Sequence, residues 1–344
     1  MSLLYTALAF TFLYAAAWIL PYLVPPAHRP TVEQPFENSR FEQLDDVRWH
    51  YQITEPDPLL PFRGNVLLVH GFVSSSNSWR YTVAWLAALG YRAVTVDTPP
   101  FGFSGRREGQ NHSPSNRARL LWTLADRIAA RESWQGYGVG EEAWYIIGHS
   151  MGCSAVGAMA ALEPHRVRKL VFTGGRMRPH AVAGDGGGAW YPTFPLRINT
   201  SRTVPRWLFR ALPYKRIGEV FARAMMHPRF IRRIVRRSYG YYPDASIVRE
   251  YVRHLNQEGV VRGMVDLVAN SPETESYTIE PLRNIPLLIV WGNRDPVVPI
   301  AVGRIVHRSL PHSRFVVIDG AAHCPMETHC EAYQAAVKAF LDEE

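Results

Sequence analysis

Six apolar runs recur along the chain with helix-length stretches between them, and this rhythm restricts the fold more than any other feature. They are NVLLVHG (65–71), YRAVTVD (91–97), AWYIIGH (143–149), RKLVFTGG (168–175), IPLLIVWG (285–292) and SRFVVIDG (313–320). A strand covered on both faces loses the in–out alternation of a half-exposed strand and reads as a continuous apolar run. Between the runs lie SWRYTVAWLAALG (78–90), 113–132, MGCSAVGAMAALE (151–163) and a final stretch over 331–342, each with helical spacing. Strands that alternate with helices in this way predict an α/β fold, with a mostly parallel sheet and helices on both faces.

The rhythm stops between about 176 and 280, where no buried-strand run occurs. Short helices and loops are expected there, with AGDGGG (183–188) as a flexible piece. The segment reads as an insertion between two sheet strands. It also carries the charge: Arg176 to Arg262 holds 17 Lys or Arg and 5 Asp or Glu, a net +12 in a chain whose total is +8. Within it, FIRRIVRRSY (230–239) puts Arg232, Arg233, Arg236 and Arg237 on one helical face, with Ile231, Ile234 and Val235 largely on the other. A solvated outer face over a local core and a helix resting on an anionic membrane surface both fit that pattern. Nucleic acid is not implied, because no recognition motif accompanies the charge.

The N-terminus departs from a soluble domain. Ser2 to Val24 carries no charge, and as a helix it would be roughly 35 Å long against a hydrocarbon core of about 30 Å. The expectation is a retained single-pass anchor over 1–24. A cleaved signal peptide and a helix buried in the protein are the rivals. A proline-rich linker follows at 25–40. The core is then expected over 41–175 and 281–344, around a basic helical cap at 176–280. Three cysteines, and arginines on the C-terminal side of the anchor, place the body in the cytosol on this reading.

GHSMGC (148–153) lies between an expected strand and an expected helix, the context in which G-x-S-x-G carries meaning. A serine hydroxyl is a poor nucleophile unless it is exposed, aimed and deprotonated as it attacks. A sharp strand-to-helix turn would lift Ser150 out of the sheet end, and Gly148 and Gly152 remove side chains that would collide with neighbouring segments. Acyl transfer also needs donors for the oxygen that becomes negative. The amides of Phe72, in the HGF turn after the first run, and of Met151 are the natural couple.

A base and an orienting acid complete such a site. Asp295 in WGNRDPVVP (291–299) sits at a strand tip, and His323 lies just past the last strand. Asp97 reads as structural and Asp319 as a poorer candidate. His329 reads as a bystander and His149 as a packing residue. The stretch GAAHCPMETHC (320–330) raises a metal site, but residues six apart on a helix do not share a face, and no C-x-x-C or H-E-x-x-H occurs.

With HGF at 70–72, DTPPFGFS at 97–104, GHSMG at 148–152, GNRDPVVP at 292–299 and the AH-x-P segment at His323, the sequence resembles the α/β-hydrolases over about 41–175 and 281–342. The resemblance implies a mostly parallel eight-stranded sheet with a helical cap inserted after the sixth strand, and no cofactor. It implies Ser150 as nucleophile, His323 as base and acid, Asp295 as the orienting carboxylate, and Phe72 and Met151 as oxyanion donors. Serine at 150 sets the chain apart from branches that use aspartate there. Two departures stand out: Cys153 where glycine is common, and an acidic residue after the histidine that is shifted to Glu327.

The resulting expectation is a membrane-associated serine hydrolase that cleaves a hydrophobic acyl ester such as a monoacylglycerol or lysophospholipid. Thioesterase, C–C bond hydrolase and acyltransferase chemistry would use the same triad. A non-catalytic membrane-bound scaffold on a hydrolase fold is the alternative of another class.

Overall fold

The computed structural model describes residues 2–23, 32–132, 134, 143–175, 177, 227–269 and 277–343. Eight strands form one sheet: β1 (Ser39–Leu44), β2 (Val47–Thr54), β3 (Gly64–Val69), β4 (Tyr91–Val96), β5 (Trp144–His149), β6 (Val167–Thr173), β7 (Leu287–Gly292) and β8 (Arg314–Ile318). Their spatial order is β1-β2-β4-β3-β5-β6-β7-β8. β2 runs antiparallel to both β1 and β4, and every other pairing is parallel. The six apolar runs are β3 to β8. All six residues of β5 and of β7 are buried, as a strand covered on both faces requires.

The hairpin of β1 and β2 has no counterpart among those runs. Its signal is alternation instead: Val47, Trp49, Tyr51 and Ile53 are buried at every second position. Asp45 and Asp46 turn the chain with φ of 43° and 62°, the left-handed geometry a two-residue hairpin favours.

Helices α1 (Ser2–Leu23), α2 (Arg80–Ala87), α3 (Pro114–Arg131) and α4 (Met151–Leu162) precede the insertion. A 3₁₀ turn, Ser76–Trp79, leads into α2. The insertion contributes α5 (Pro228–Tyr239), α6 (Ala245–Leu255) and α7 (Val260–Ala269). α8 (Ile300–Ser309), α9 (Pro325–Thr328) and α10 (Cys330–Leu341) complete the chain. Two apolar clusters flank the sheet. One gathers side chains of α3 and α4 with Trp49, Ile146 and Ile289. The other gathers Tyr333 and Phe340 of α10 with Leu68, Ile147 and Val290, and takes in Ile231, Val235, Leu255 and Met264 of the insertion.

α5 has the amphipathic geometry read from its sequence. Ile231, Val235 and Tyr239 are buried, Ile234 is half-buried, and Arg232, Arg233, Arg236 and Arg237 are exposed. Its apolar side is therefore already covered by protein, whereas a helix seated in a bilayer surface offers that side to lipid. The proposed cap at 176–280 is described only at 177, 227–269 and 277–280. AGDGGG and residues 25–31 of the linker lie outside the described residues.

The expected single-pass N-terminal anchor, with the membrane placement built on it, is corrected. α1 forms over Ser2–Leu23, but among the described residues no helix is long and apolar enough to cross a membrane. That expectation rested on the absence of charge. The run also carries hydroxyls at Tyr5, Thr6, Thr11, Tyr14 and Tyr22 and a proline at 21, which lower its apolar character.

Candidate active site

The carboxyl ends of β3, β5, β7 and β8 bring the site together. β5 ends at His149 and α4 begins at Met151, so the chain reverses at Ser150 alone. Ser150 has φ 51° and ψ −115°, a backbone state that L-residues rarely adopt and that costs of order 1–3 kcal/mol. The surroundings hold it there. The Ser150 amide donates to the Thr173 carbonyl (2.9 Å), and its carbonyl accepts from the Cys153 amide (3.1 Å). A Cβ at Gly148 would sit 2.6 Å from Val156 Cγ2, and one at Gly152 would overlap the carbonyl oxygens of Val69 and His70. Neither position has room for a side chain.

Ser150 Oγ lies 3.0 Å from His323 Nε2. His323 Nδ1 lies 2.7 Å from Asp295 Oδ2. The other carboxylate oxygen, Oδ1, accepts from the amides of Val297 (2.8 Å) and Val298 (2.9 Å), which fixes the carboxyl plane. The loops carrying Asp295 and His323 are tied together by the Arg294 amide, which donates to the Ala321 carbonyl (2.9 Å). His323 and the Asp295 side chain are buried, while Ser150 stays half-buried. The structure thus joins the serine, the histidine and the aspartate in one chain of hydrogen bonds.

Phe72 and Met151 flank the serine. A Cβ on Gly71 would lie 2.9 Å from Ser150 Cβ, so the backbone after β3 passes directly beside the serine. His70 Nδ1 bonds the Gly71 carbonyl (2.7 Å), and His70 Nε2 accepts from the Thr98 amide (2.9 Å), which makes Nδ1 the protonated nitrogen. Burial lowers the His70 pKa and keeps the ring neutral. In a planar trans peptide the N–H points opposite the C=O, so the bond from His70 turns the Phe72 amide to the other side. The Met151 amide opens α4 and has no helical acceptor. Both side chains are half-buried, and Phe72 packs edge-on to Phe101 with centroids 5.1 Å apart.

Other candidates fall elsewhere. Asp97 is fully buried at the start of its loop. It pairs with His50 Nδ1 (2.7 Å) and accepts from the amides of Ser76 (2.6 Å) and Phe103 (2.8 Å). Burial works to raise its pKa, but the His50 charge and hydrogen bond reverse that and hold it well below the usual carboxylate range. Asp319 is exposed and bonds Asn293. His329 bonds Thr328 rather than the serine's partners. Cys153, Cys324 and Cys330 are free thiols. Among the described residues no group of three or more His, Cys, Asp or Glu side chains is arranged to hold a metal ion.

Two contacts were missed in the sequence. His149 Nε2 donates to the His323 carbonyl (2.9 Å), and Glu327 sits buried in a cluster behind the histidine loop. Position beside Ser150 was the only signal for His149. The shifted acid after His323 was the signal for Glu327.

The family model for the alpha/beta hydrolase fold matches residues 64–329. An uncharacterised hydrolase of Bacillus subtilis, YugF, is 24% identical over 82% of this chain and 91% of its own length. A pimeloyl-[acyl-carrier protein] methyl ester esterase of Neisseria meningitidis is 24% identical over 80% of this chain and 92% of its own. A thermophilic esterase from Thermogutta terrifontis superposes with a TM-score of 0.61 at 18% identity, over 88% of this chain and 97% of that one.

Proposed function

We propose that this chain, which belongs to the alpha/beta hydrolase fold family, is a serine hydrolase that cleaves a carboxylic ester with an apolar acyl part. The observation that carries the reading is the continuous chain from Ser150 Oγ through His323 to Asp295. On a turn serine without catalytic work, neither the strained backbone nor an aligned imidazole is needed. Two esterases among the similar proteins, one by sequence and one by fold, support an ester as the bond cleaved.

In this mechanism Ser150 Oγ attacks the ester carbonyl as His323 Nε2 takes its proton. Asp295 holds the Nδ1–H tautomer and offsets the imidazolium charge. The carbonyl oxygen, now negative, is met by the amides of Phe72 and Met151, a contribution of about 3–4 kcal/mol per donor in comparable sites. The intermediate collapses, the C–O bond breaks, and the alcohol leaves with the proton from His323. Water then attacks the acyl-serine, giving its proton to His323, and the carboxylic acid departs as Ser150 is restored. The half-buried apolar side chains of Phe72 and Met151 beside the serine support an apolar acyl part.

A series of p-nitrophenyl esters from acetate to palmitate tests this. The reading requires turnover that rises with acyl length and that Ser150→Ala removes. Turnover equal in the Ser150→Ala variant would refute it.

A further inference from the structure

We propose that Glu327 is a positioning residue for His323, holding the histidine loop to two helices of the inserted segment through Tyr239 and Tyr251. The proposal rests on the reading of His323 as the general base.

Glu327 lies four residues past His323, on the short helix α9, and is buried. Its Oε2 accepts from the Tyr239 hydroxyl (2.6 Å) and from the Arg80 guanidinium. Its Oε1 accepts from the Tyr251 hydroxyl (3.1 Å). One carboxylate therefore ties α9 to the first residue of α2, the last residue of α5 and the middle of α6. A second link lies beside it: the His323 amide donates to the carbonyl of Ser238, the neighbour of Tyr239 (2.8 Å). The same end of α5 thus holds the histidine by its backbone and the following helix by a side chain.

The charge pair with Arg80 explains why Glu327 can be buried. It does not call for two phenols from the insertion, and these supply the remaining donors. Burial and the nearby Glu327 raise the pKa of both Tyr239 and Tyr251, so the hydroxyls keep their protons. Burial opposes the charge on Arg80, but Glu327 and Tyr239 outweigh it and raise its pKa. The two phenols and the guanidinium therefore keep their protons through the neutral range. If α5 leaves its seat, the Ser238 carbonyl leaves the His323 amide and the phenol leaves Glu327 together. Placement of the base then depends on seating of the insertion.

The test uses the full chain with Tyr239→Phe, Tyr251→Phe and both together, which keep the ring packing. Glu327→Gln is added where it folds. One readout is the proton NMR resonance of His323 Nδ1–H, assigned by its loss in His323→Asn. The other is kcat and KM on a p-nitrophenyl ester. In the double variant we expect kcat to fall about tenfold with KM within about twofold, because a displaced base costs the transition state and not ground-state binding. The resonance should shift or broaden in step, with the single variants between. A double variant with unchanged resonance and unchanged kcat, but a lowered melting temperature, would show a purely structural cluster and overturn the proposal. If the wild type turns over no ester yet the resonance moves, positioning stands and the ester reading fails.

Discussion

His149 donates from Nε2 to the carbonyl oxygen of His323, 2.9 Å away, and the two rings lie 4.8 Å apart. Burial, and then the neighbouring His323, push the His149 pKa well below the ordinary value, so its ring stays neutral with the proton on Nε2. The residue before Ser150 thereby fixes the backbone of His323. His149→Leu should lower kcat about tenfold and cost about 1–2 kcal/mol from the unpaired carbonyl. His149→Gln, which can donate again, should recover part of both. Steady-state kinetics and urea melts read the two effects.

Gly152 packs against the carbonyl oxygens of Val69, the last residue of β3, and of His70 just after it, backbone atoms that cannot swing aside as a flexible side chain could. Gly152→Ala should therefore displace the start of α4 and cost about 3 kcal/mol. A fluorophosphonate probe should label the variant more slowly than wild type even below its melting temperature. Equal labelling rates would mean that the turn tolerates the extra carbon.

Acid should weaken the fold in two stages. Burial lowers the pKa of His112 and of His254 to about 3, while the unfolded chain titrates near 6.5. Between those values the unfolded state binds protons that the folded state refuses, so stability falls as pH falls, by up to about 1.4 kcal/mol per pH unit per group. The slope for these groups starts near pH 6.5 and ends near pH 3. Urea melts from pH 7 to 4 check it, and His254→Phe should remove part of the slope.

Asp97 governs the lower stage. Its folded pKa is depressed, so its contribution is complete above the unfolded value near 3.9 and disappears as pH falls through the folded value. At neutral pH, Asp97→Asn leaves His50 and two amides without their carboxylate. The expected cost is about 3–5 kcal/mol, read as a lowered urea midpoint. A change under about 0.5 kcal/mol would be typical of a surface site and would contradict the buried pairing.

The parts of the fold that sequence exposed most clearly are those with two covered faces. β5 and β7 are continuous apolar runs, and each carries a site residue at or just past its end. β1 and β2 were less legible because only one face of the hairpin joins the core, and alternation is a weaker signal than an unbroken run. Ser150 was readable because steric demand forces glycine at 148 and 152. Glu327 was not, since its partners at 80, 239 and 251 are far apart in the chain and meet only after folding. A helix forms over Ser2–Leu23, but absence of charge was too coarse a measure of whether it could span a bilayer.

In the proposed function, Ser150 is a nucleophile activated by His323. Mass spectrometry of the full chain after reaction with a fluorophosphonate tests it most directly. One adduct is expected, mapped to Ser150, absent in Ser150→Ala and formed at least about a hundredfold more slowly in His323→Asn, the low end for losing a general base. An adduct that persists in Ser150→Ala, or a wild type that forms none, would contradict it.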